Sequence, residues 1–564
     1  MIGRLPIGIV LVALAAVAAG QEALPTGVDA GALGRPYYSG AILPTPRQAE
    51  YGDDSVDLAD GPGGAWGCRI AVEYDGPARD LLIRLLSQRL GQYTGQFPEL
   101  AGIPFDSAAP DALPVVFALV DDRRARPFLR RYGLRKAARA LEPEGYLLEI
   151  RPDGVFCGGR DNAGLVNGLA SFLQLVHVRD GRLAARCASV RDWPTFLIRY
   201  TSEYHLPGED FFDWMMLNKI NGFGACYPGM RWEGLSDDKR AGLEAIGRYI
   251  RAYETMHFMV QFHIGGRGGR AVDCGNPDDV GRLLDTIAET MRLCPTQHVM
   301  VCYDDVTPEL QPQERGKFER PAQAHGWVME RVYEAVKAID SDTVVSFCSP
   351  HYQGRDHRRW RESNPRLPET LEYMEDLHAW PNADIRIVWT GPVTESRSID
   401  LRDIEHYRGL IGENKQLVYW DNTWHYHQPL RNFHAQYLDG FVEYCADRTS
   451  YINVNGVGPI GRFFAVTAND YYWNPEGLDA GRTRRLAVAQ FMGPRAVPAA
   501  EAFYALRGND YNVFFTRDVD LDALKSVLSE LERTSIDPEL PQYCWDVYEG
   551  IVKKRAEAQA KPQQ

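Results

Sequence analysis

The stretch HVMVCYDD (residues 298–305) is an apolar run that ends in two adjacent aspartates, Asp304 and Asp305. Similar runs recur between residues 193 and 480, and segments with helical periodicity follow them. The predicted strands span residues 196–204, 220–227, 257–264, 298–305, 343–349, 385–391, 416–422 and 450–456. Eight strand–helix units are what a (β/α)₈ barrel requires. Their regularity favours a closed barrel over the alternative, a doubly wound open sheet.

The sequence on either side of the predicted barrel indicates two further parts. Residues 41–192 combine strand-like runs with helical periodicity and predict a small α/β domain. Residues 481–564 predict a C-terminal helical region, and the Gly- and Ala-rich residues 21–40 predict a flexible leader. We therefore expect a (β/α)₈ TIM barrel that is preceded by a small α/β domain and followed by a helical region.

The first 20 residues have the composition of a secretory signal peptide. Arg4 supplies the positive charge, residues 7–17 are apolar, and residues 18–20 are small, as signal cleavage requires. The apolar run is too short for a comfortable membrane span. We expect a secreted or periplasmic protein with no membrane attachment after cleavage, and an uncleaved anchor is the alternative.

The charge balance argues against polyanionic partners. The 564 residues include 62 basic and 76 acidic side chains, which gives a net charge of −14, and no basic patch stands out. Proteins that bind nucleic acid or anionic membranes carry basic surfaces. We therefore expect neither nucleic acid nor a membrane as a partner.

The cysteines and histidines do not form a known metal motif. The ten cysteines include no C-x-x-C pair, and the thirteen histidines include no H-E-x-x-H. Cys302 and Cys348 lie inside strand-like runs and are interpreted as small buried hydrophobic residues. The sequence therefore predicts neither a metal site nor a cofactor.

Polar and aromatic residues gather at the ends of the predicted strands, where TIM barrels place their active sites. Carboxylates and amides bind sugar hydroxyls, and aromatic rings pack on the C–H face of a pyranose. We therefore interpret this rim as a carbohydrate site. The substrate-binding candidates are Glu203, Tyr227, Tyr352, Trp389, Trp420, Asn422, His427 and Asn455.

The adjacent aspartates are the catalytic candidates. Crowded carboxyls do not ionise together easily, so one can act as a general acid while the other stays charged. Ordinary retaining glycosidases hold two carboxyls ~5 Å apart on opposite sides of the bond, which adjacent residues fit poorly. They fit better where the 2-acetamido group of the substrate is the nucleophile. One carboxylate then holds the amide N–H, and the other protonates the leaving oxygen.

Several motifs carry a resemblance to a known family. CYDDV, VWTGPV (388–393), YWDNTW and DYYWNPEGLDA (470–480) occur in the order found in glycoside hydrolase family 84, the O-GlcNAcase-like β-N-acetylglucosaminidases and hyaluronidases. ILPTPRQ and GRDNAGLVNGLASFLQL resemble the domain that precedes the barrel in families 84 and 20. The order of the motifs, more than any single one, indicates the resemblance.

The resemblance implies that Asp304 orients the acetamido group and that Asp305 is the general acid and then the base. It implies net retention, an oxazoline intermediate, a glycan or glycoconjugate substrate, and no cofactor. Matching positions near the substrate are Tyr352, Trp420, Asn422 and Asn455, with Asn453 as the alternative to the last.

The chain departs from the family at three places, so it resembles a divergent member. In RYTSEYHLP, Glu203 is kept, but Tyr200 and Tyr204 stand where the family has glycines, and we expect them to narrow the mouth. A family lysine after the second strand is missing, with Arg231 as a candidate replacement, and His427 aligns with a family aspartate.

Two other functions remain compatible with the sequence. One is a carbohydrate-binding barrel whose catalysis is lost or reduced. The other is a glycosidase of different sugar specificity that uses a carboxyl from another strand, such as Glu203.

Overall fold

The computed structural model divides into three successive regions: an α/β domain, a barrel and a set of C-terminal helices. The described residues are 26–98, 100–101, 112–203, 205–226, 230–266, 270–394, 396, 398–422, 436–437, 449–452, 459–507 and 520–560. The predicted signal peptide, residues 1–20, lies outside them.

The α/β domain is built on one mixed sheet. Strands β1–β8 span Val28–Asp29, Gln48–Ala59, Cys68–Glu73, Leu113–Leu119, Tyr146–Arg151, Gly154–Gly159, Val176–Arg179 and Arg182–Asp192. Their order is β1–β7–β8–β5–β6–β4–β3, and β2 pairs with β8. Helices α1–α4 span Arg79–Thr94, Arg126–Arg131, Arg135–Arg139 and Asn162–Leu175. Asp161 caps α4 by accepting a hydrogen bond from the Gly164 N–H, and α4 then packs across the sheet as the buried helix of the domain.

The described part of the predicted flexible leader is ordered. Val28 pairs with Arg179 as part of β1, and Leu33 and Tyr38 are buried. The Tyr37 N–H donates to the carbonyl of Gln490 in the C-terminal region. The prediction of a flexible segment over 26–40 is therefore wrong, because its few large apolar side chains are enough to hold it against the core.

The central region is a closed barrel of parallel strands. Strands β9–β14, β16 and β18 span Ile198–Glu203, Gly222–Ala225, His257–His263, His298–Cys302, Val344–Cys348, Arg386–Trp389, Leu417–Asp421 and Thr449–Ile452. Each pairs with the next, and β18 closes on β9 through Thr449 and Ile198. The short strands β15 (Ser398–Ile399) and β17 (Gln436–Tyr437) pair outside the barrel. The predicted (β/α)₈ fold class is confirmed.

Helices cover the outside of the barrel, in alternation with its strands. Helices α5–α11 span Glu209–Leu217, Asp237–Tyr253, Pro277–Leu293, Pro321–Ile339, Leu367–His378, Leu401–Ile411 and Pro459–Trp473. The strands alternate between two apolar layers. In β12, Met300 packs inside the barrel, whereas Val299 and Val301 pack outward in the layer shared with the helices.

The described part of the C-terminal region is mainly helical. Helices α12–α15 span Ala480–Met492, Val497–Arg507, Leu521–Thr534 and Glu539–Ala560. Among the described residues, none of the helices combines the length and apolar character needed to cross a membrane.

Buried ion pairs join the α/β domain to the amino-terminal end of the barrel. The Lys219 ammonium lies 3.4 Å from the Asp192 carboxylate, and both side chains are fully buried. Burial lowers the pKa of Lys219 to about 8. The Arg199 guanidinium, also fully buried, lies 2.9 Å from the Glu144 carboxylate. The domain thus contacts the barrel near the amino-terminal ends of β9 and β10.

Candidate active site

The catalytic candidates form a turn that follows β12. The strand ends at Cys302, Tyr303 is buried, and Asp304 and Asp305 lie in the turn. Asp305 has a φ of 59°, a left-handed conformation that costs most non-glycine residues ~1–2 kcal/mol. Because the turn interrupts the strand, the two carboxyls are freed from the strict alternation of strand side chains. Backbone strain of this kind is concentrated at functional sites.

Asp304 is the more enclosed of the two aspartates. Its side chain is 13% exposed, and its Oδ1 lies 3.4 Å from Nε2 of His263, the last residue of β11. The same nitrogen lies 2.9 Å from the backbone oxygen of Asp304. His263 thus contacts both the backbone and the carboxyl of Asp304, which positions this carboxyl at the inner edge of the rim.

Asp305 is exposed, and one of its oxygens is held by a tyrosine. The Tyr352 hydroxyl donates a hydrogen bond of 2.9 Å to Asp305 Oδ1. Tyr352 is itself buried, and burial together with the nearby Asp305 carboxylate raises the pKa of Tyr352 above its usual value. The phenol therefore remains a donor at neutral pH. An exposed carboxyl with one oxygen fixed can exchange a proton with a group in the pocket.

Two thiols lie next to Asp304 on the inner face of the barrel. The sulfurs of Cys302 and Cys348 and a carboxylate oxygen of Asp304 all lie within 4.8 Å of one another. The Gln261 side-chain N–H donates to the Cys302 sulfur at 3.0 Å. Burial is the main reason that the pKa values of both thiols are raised, so they are neutral at pH 7.

Two further candidates come from β16. Trp420 packs in the inner cluster of the barrel together with Tyr352. Asp421 points the other way, where it accepts a 2.6 Å hydrogen bond from the Tyr472 hydroxyl. Asn422 is buried and directly follows the last residue of β16. Trp420 therefore lies on the inner side of the strand, as a role in substrate binding requires.

Trp389 does not lie on the inner face. It is 1% exposed and packs in the layer between strands and helices, with its ring 5.8 Å from that of Tyr407 in α10. Its neighbour Val388 faces the barrel interior instead. This position contradicts the prediction that Trp389 binds substrate, and the reason is the period of two in a strand, which turns adjacent residues to opposite faces.

For four predicted substrate-binding residues, the side chains lie outside the part of the chain that the structure describes. Tyr227, His427 and Asn455 lie outside the described residues. Glu203 is the last residue of β9, and only its backbone is described. These assignments remain predictions.

The substituted tyrosine of the first strand lies deeper than expected. Tyr200 is 1% exposed and belongs to the inner cluster of the barrel. Gly222 of the adjacent strand makes room for it, since a Cβ there would lie 2.6 Å from the Tyr200 ring. The expectation that Tyr200 narrows the mouth is therefore wrong, because it fills the barrel near the start of its strand. Tyr204 lies outside the described residues.

Arg231, the candidate replacement for the missing lysine, forms an ion pair at the surface. Its guanidinium lies 2.7 Å from the Glu233 carboxylate, and its side chain is 47% exposed.

The structure adds residues that the sequence analysis did not select. His263 contacts Asp304, and Gln261 donates a hydrogen bond to Cys302. Cys348 lies beside Cys302 as the second thiol. The position of His263 at the end of a predicted strand was a usable signal. No sequence signal brings the two cysteines together, because their contact depends on the register between two strands.

Two family models match the chain. The model described as beta-N-acetylglucosaminidase matches residues 230–505, and that of glycosyl hydrolase family 20, domain 2, matches residues 40–193. The first match includes Asp304 and Asp305, and the second covers the α/β domain.

Solved structures with the same fold include two proteins of 13% sequence identity. CpGH84B has a TM-score of 0.62, and the alignment covers 92% of this chain and 90% of that chain. CpGH84D has a TM-score of 0.58, with 92% and 91% covered. No curated protein matches the sequence significantly.

Proposed function

We propose that this chain, which is a glycoside hydrolase of the β-N-acetylhexosaminidase type, cleaves β-linked 2-acetamido sugars by a substrate-assisted retaining mechanism. The predicted enzyme class is confirmed by the two family matches. The finer assignment to family 84 is part of the proposal, and it is supported by the CYDDV turn and by the order of the other motifs.

One observation carries the proposal. Asp304 and Asp305 lie on a single turn, one half-buried against His263 and the other exposed and hydrogen-bonded by Tyr352. Two adjacent carboxyls in different environments suit two different roles. The enclosed one suits the orientation of a neutral amide, and the exposed one suits proton exchange with the glycosidic oxygen and with water.

In the first step, the acetamido carbonyl oxygen attacks C1 of the sugar and forms a new C–O bond. The bond between C1 and the leaving oxygen breaks, and the Asp305 carboxyl gives its proton to that oxygen. The Asp304 carboxylate accepts the amide N–H of the substrate, which favours the positive charge that develops on the acetamido group. The product of this step is an oxazolinium ion that keeps the amide proton, which is the protonated form of the oxazoline intermediate.

In the second step, Asp305 acts as a base. Water attacks C1 and transfers a proton to the Asp305 carboxylate, and the C1–O bond to the acetamido oxygen breaks. The acetamido group is restored, and two inversions at C1 give net retention. The Tyr352 hydroxyl keeps the Asp305 carboxylate in one orientation through both steps. No cofactor enters either step.

The remaining features of the proposal concern the substrate and the location of the protein. Trp420 and Asn422 are proposed to contact the sugar ring and its hydroxyls. The roles predicted for Glu203, Tyr227, His427 and Asn455 belong to the same proposal. The substrate is a glycan or glycoconjugate, and the signal-like residues 1–20 support secretion or export to the periplasm.

The test compares two substrates that differ at one position. The protein is assayed with a chromogenic N-acetyl-β-glucosaminide and with the matching β-glucoside, which has a hydroxyl in place of the acetamido group. The expected kcat/KM is lower for the glucoside by several orders of magnitude, because well-placed intramolecular nucleophiles have effective molarities of ~10⁵–10⁸ M. A thiazoline analogue of the oxazoline should inhibit, and equal rates on both sugars would contradict substrate assistance.

Asp304→Asn tests whether the Asp304 carboxylate orients the acetamido group of the substrate. The amide side chain keeps the size of the carboxylate but cannot accept the N–H with a negative charge. We expect weaker thiazoline inhibition and a lower kcat. If Asp304→Asn retains activity while Glu203→Gln loses it, the carboxyl pair is drawn from other strands, as in the alternative glycosidase. Binding of acetamido sugars without any turnover would instead support a binding protein.

A further inference from the structure

We propose that Cys302, Cys348 and Asp304 form a binding site for a thiophilic divalent cation of the Zn²⁺ or Cd²⁺ class, and that occupation of this site inhibits the enzyme. Binding of the ion stands on the geometry of the three residues. The inhibition rests on the proposed role of Asp304.

The register of two strands creates the site. Cys302 of β12 and Cys348 of β13 are direct partners in the parallel pairing, and both belong to the inner cluster of the barrel. Parallel partners on the same face project side by side. The turn after β12 then adds the carboxylate of Asp304, so that two sulfurs and one oxygen lie within 4.8 Å of one another.

These distances suit one small ion. Zinc–sulfur bonds of ~2.3 Å in tetrahedral geometry separate two thiolates by ~3.8 Å. The observed separations are at most 4.8 Å, so small side-chain rotations bring the ligand atoms to this geometry. Two thiolates and one carboxylate favour zinc-like and soft ions over Mg²⁺ or Ca²⁺, which prefer oxygen ligands only. The three protein ligands leave the fourth position of a tetrahedral ion open.

The surroundings favour thiolates once an ion is present. The two thiols are almost fully buried, at 0% and 1% exposure for Cys302 and Cys348, and a cysteine that binds a metal does so as the deprotonated thiolate. Binding therefore replaces two S–H protons by one divalent ion and releases the protons to solvent. The Gln261 N–H that donates to the Cys302 sulfur is placed to stabilise the thiolate.

Occupation of the site changes what Asp304 can do. A carboxylate oxygen bound to the ion is no longer available to the amide N–H of a substrate, and the added positive charge opposes the developing charge on the acetamido group. The two sulfurs are buried inside the barrel, and Asp304 is the ligand that the proposed mechanism also uses. The expected inhibition therefore concerns the same pocket as catalysis.

The experiment uses Cd²⁺ as the probe on full-length protein that is treated with a chelator and a phosphine reductant and then freed of both. Ultraviolet absorption from sulfur-to-cadmium charge transfer counts the bound thiolates. In the wild-type chain, we expect a band whose intensity corresponds to two bound thiolates per chain. In Cys302→Ala or Cys348→Ala, the intensity should correspond to one thiolate, and the affinity for Cd²⁺ should fall at least ~10-fold. Calorimetry in buffers of different ionisation enthalpy should show about two protons released per ion.

Cys226→Ala is the matched control, since Cys226 is another buried cysteine of the inner cluster but does not belong to the group of three. It should keep the full band. Absence of the band in the wild-type chain, or an equal band in all variants, overturns the proposal.

Inhibition is measured separately from binding. Cd²⁺ should slow hydrolysis by the wild-type chain, and the inhibitory concentration should rise at least ~10-fold in Cys302→Ala. If the absorption band appears but Cd²⁺ does not inhibit hydrolysis, the inhibitory role is overturned and the proposal that the ion binds is retained. If no acetamido sugar is hydrolysed at all, the proposed function fails, while the absorbance titration still decides whether the ion binds.

Discussion

Asp305→Asn is the substitution that tests the proposed general acid most directly. Asparagine tolerates the left-handed backbone that Asp305 adopts, with its φ of 59°, and its amide oxygen can still accept the Tyr352 hydroxyl. Asp305→Ala is less clean, because it leaves a buried hydroxyl without its partner, at ~1–3 kcal/mol, and adds backbone strain of ~1–2 kcal/mol. The Asn variant should therefore fold normally and lack only the transferable proton.

The expected loss depends on the leaving group. General acid catalysis contributes ~10²–10⁴ in rate, which corresponds to ~2.7–5.5 kcal/mol of transition-state stabilisation. We expect this full loss in kcat/KM for an N-acetyl-β-glucosaminide with an alkyl leaving group, which cannot depart without a proton. A nitrophenyl leaving group departs as a stable anion, so the loss in kcat/KM should be much smaller.

The assay is steady-state kinetics of the two substrates with the wild-type chain, Asp305→Asn and a control, Glu309→Gln. Glu309 is an exposed carboxylate in the same loop, so the control removes a nearby negative charge without touching the turn. Unfolding midpoints should agree among the three proteins. Equal losses with both leaving groups, or a loss below tenfold with the alkyl substrate, would refute the role of Asp305 as the acid.

Three further outcomes are expected. Tyr352→Phe removes a hydrogen bond to the charged Asp305, worth ~1.5–3 kcal/mol, and should lower kcat/KM by ~10–150-fold with little change in KM, measured with the same substrates. His298 is buried, which lowers its pKa from 6.5 to about 3. As the pH drops below ~6.5, the unfolded chain therefore binds a proton before the folded chain does, and the free energy of unfolding falls. In His298→Gln, the dependence of this free energy on pH, measured by urea unfolding at pH 4–6, should be weaker by up to ~1.4 kcal/mol per pH unit. Lys219→Met breaks the buried pair with Asp192 and should destabilise the protein by ~3–5 kcal/mol in urea unfolding, while a change below ~1 kcal/mol would contradict a stabilising role of the junction.

The barrel could be predicted because its pattern is local. Each apolar run reports a strand, and the observed strands lie within or close to the predicted ranges. The ends were less predictable. The run at 298–305 was assigned as strand to its last residue, but β12 ends at Cys302. Tyr303 is buried although it follows the strand, so its apolar character extended the apparent run and concealed the turn.

The faces of the strand ends were harder to predict than the strands. Trp389 and Trp420 look equivalent in the sequence, since each follows an apolar run. In the fold, Trp420 faces the interior and Trp389 the helices. A run that is apolar on both faces, as in parallel barrels, carries no alternation that distinguishes inside from outside. The sequence therefore identified the ends of the strands, but it could not show which of their side chains face the interior of the barrel and which face the helices.

The sequence by itself determined the succession of strands and helices and the position of the two adjacent aspartates at the end of the fourth apolar run of the barrel. Only the tertiary structure decided which side chains meet there. Tyr352 contacts Asp305, and Cys348 contacts Cys302, because neighbouring strands pair in one particular register. A local period fixes how a strand alternates, whereas register and barrel closure arise from contacts between distant segments, and no local pattern encodes them.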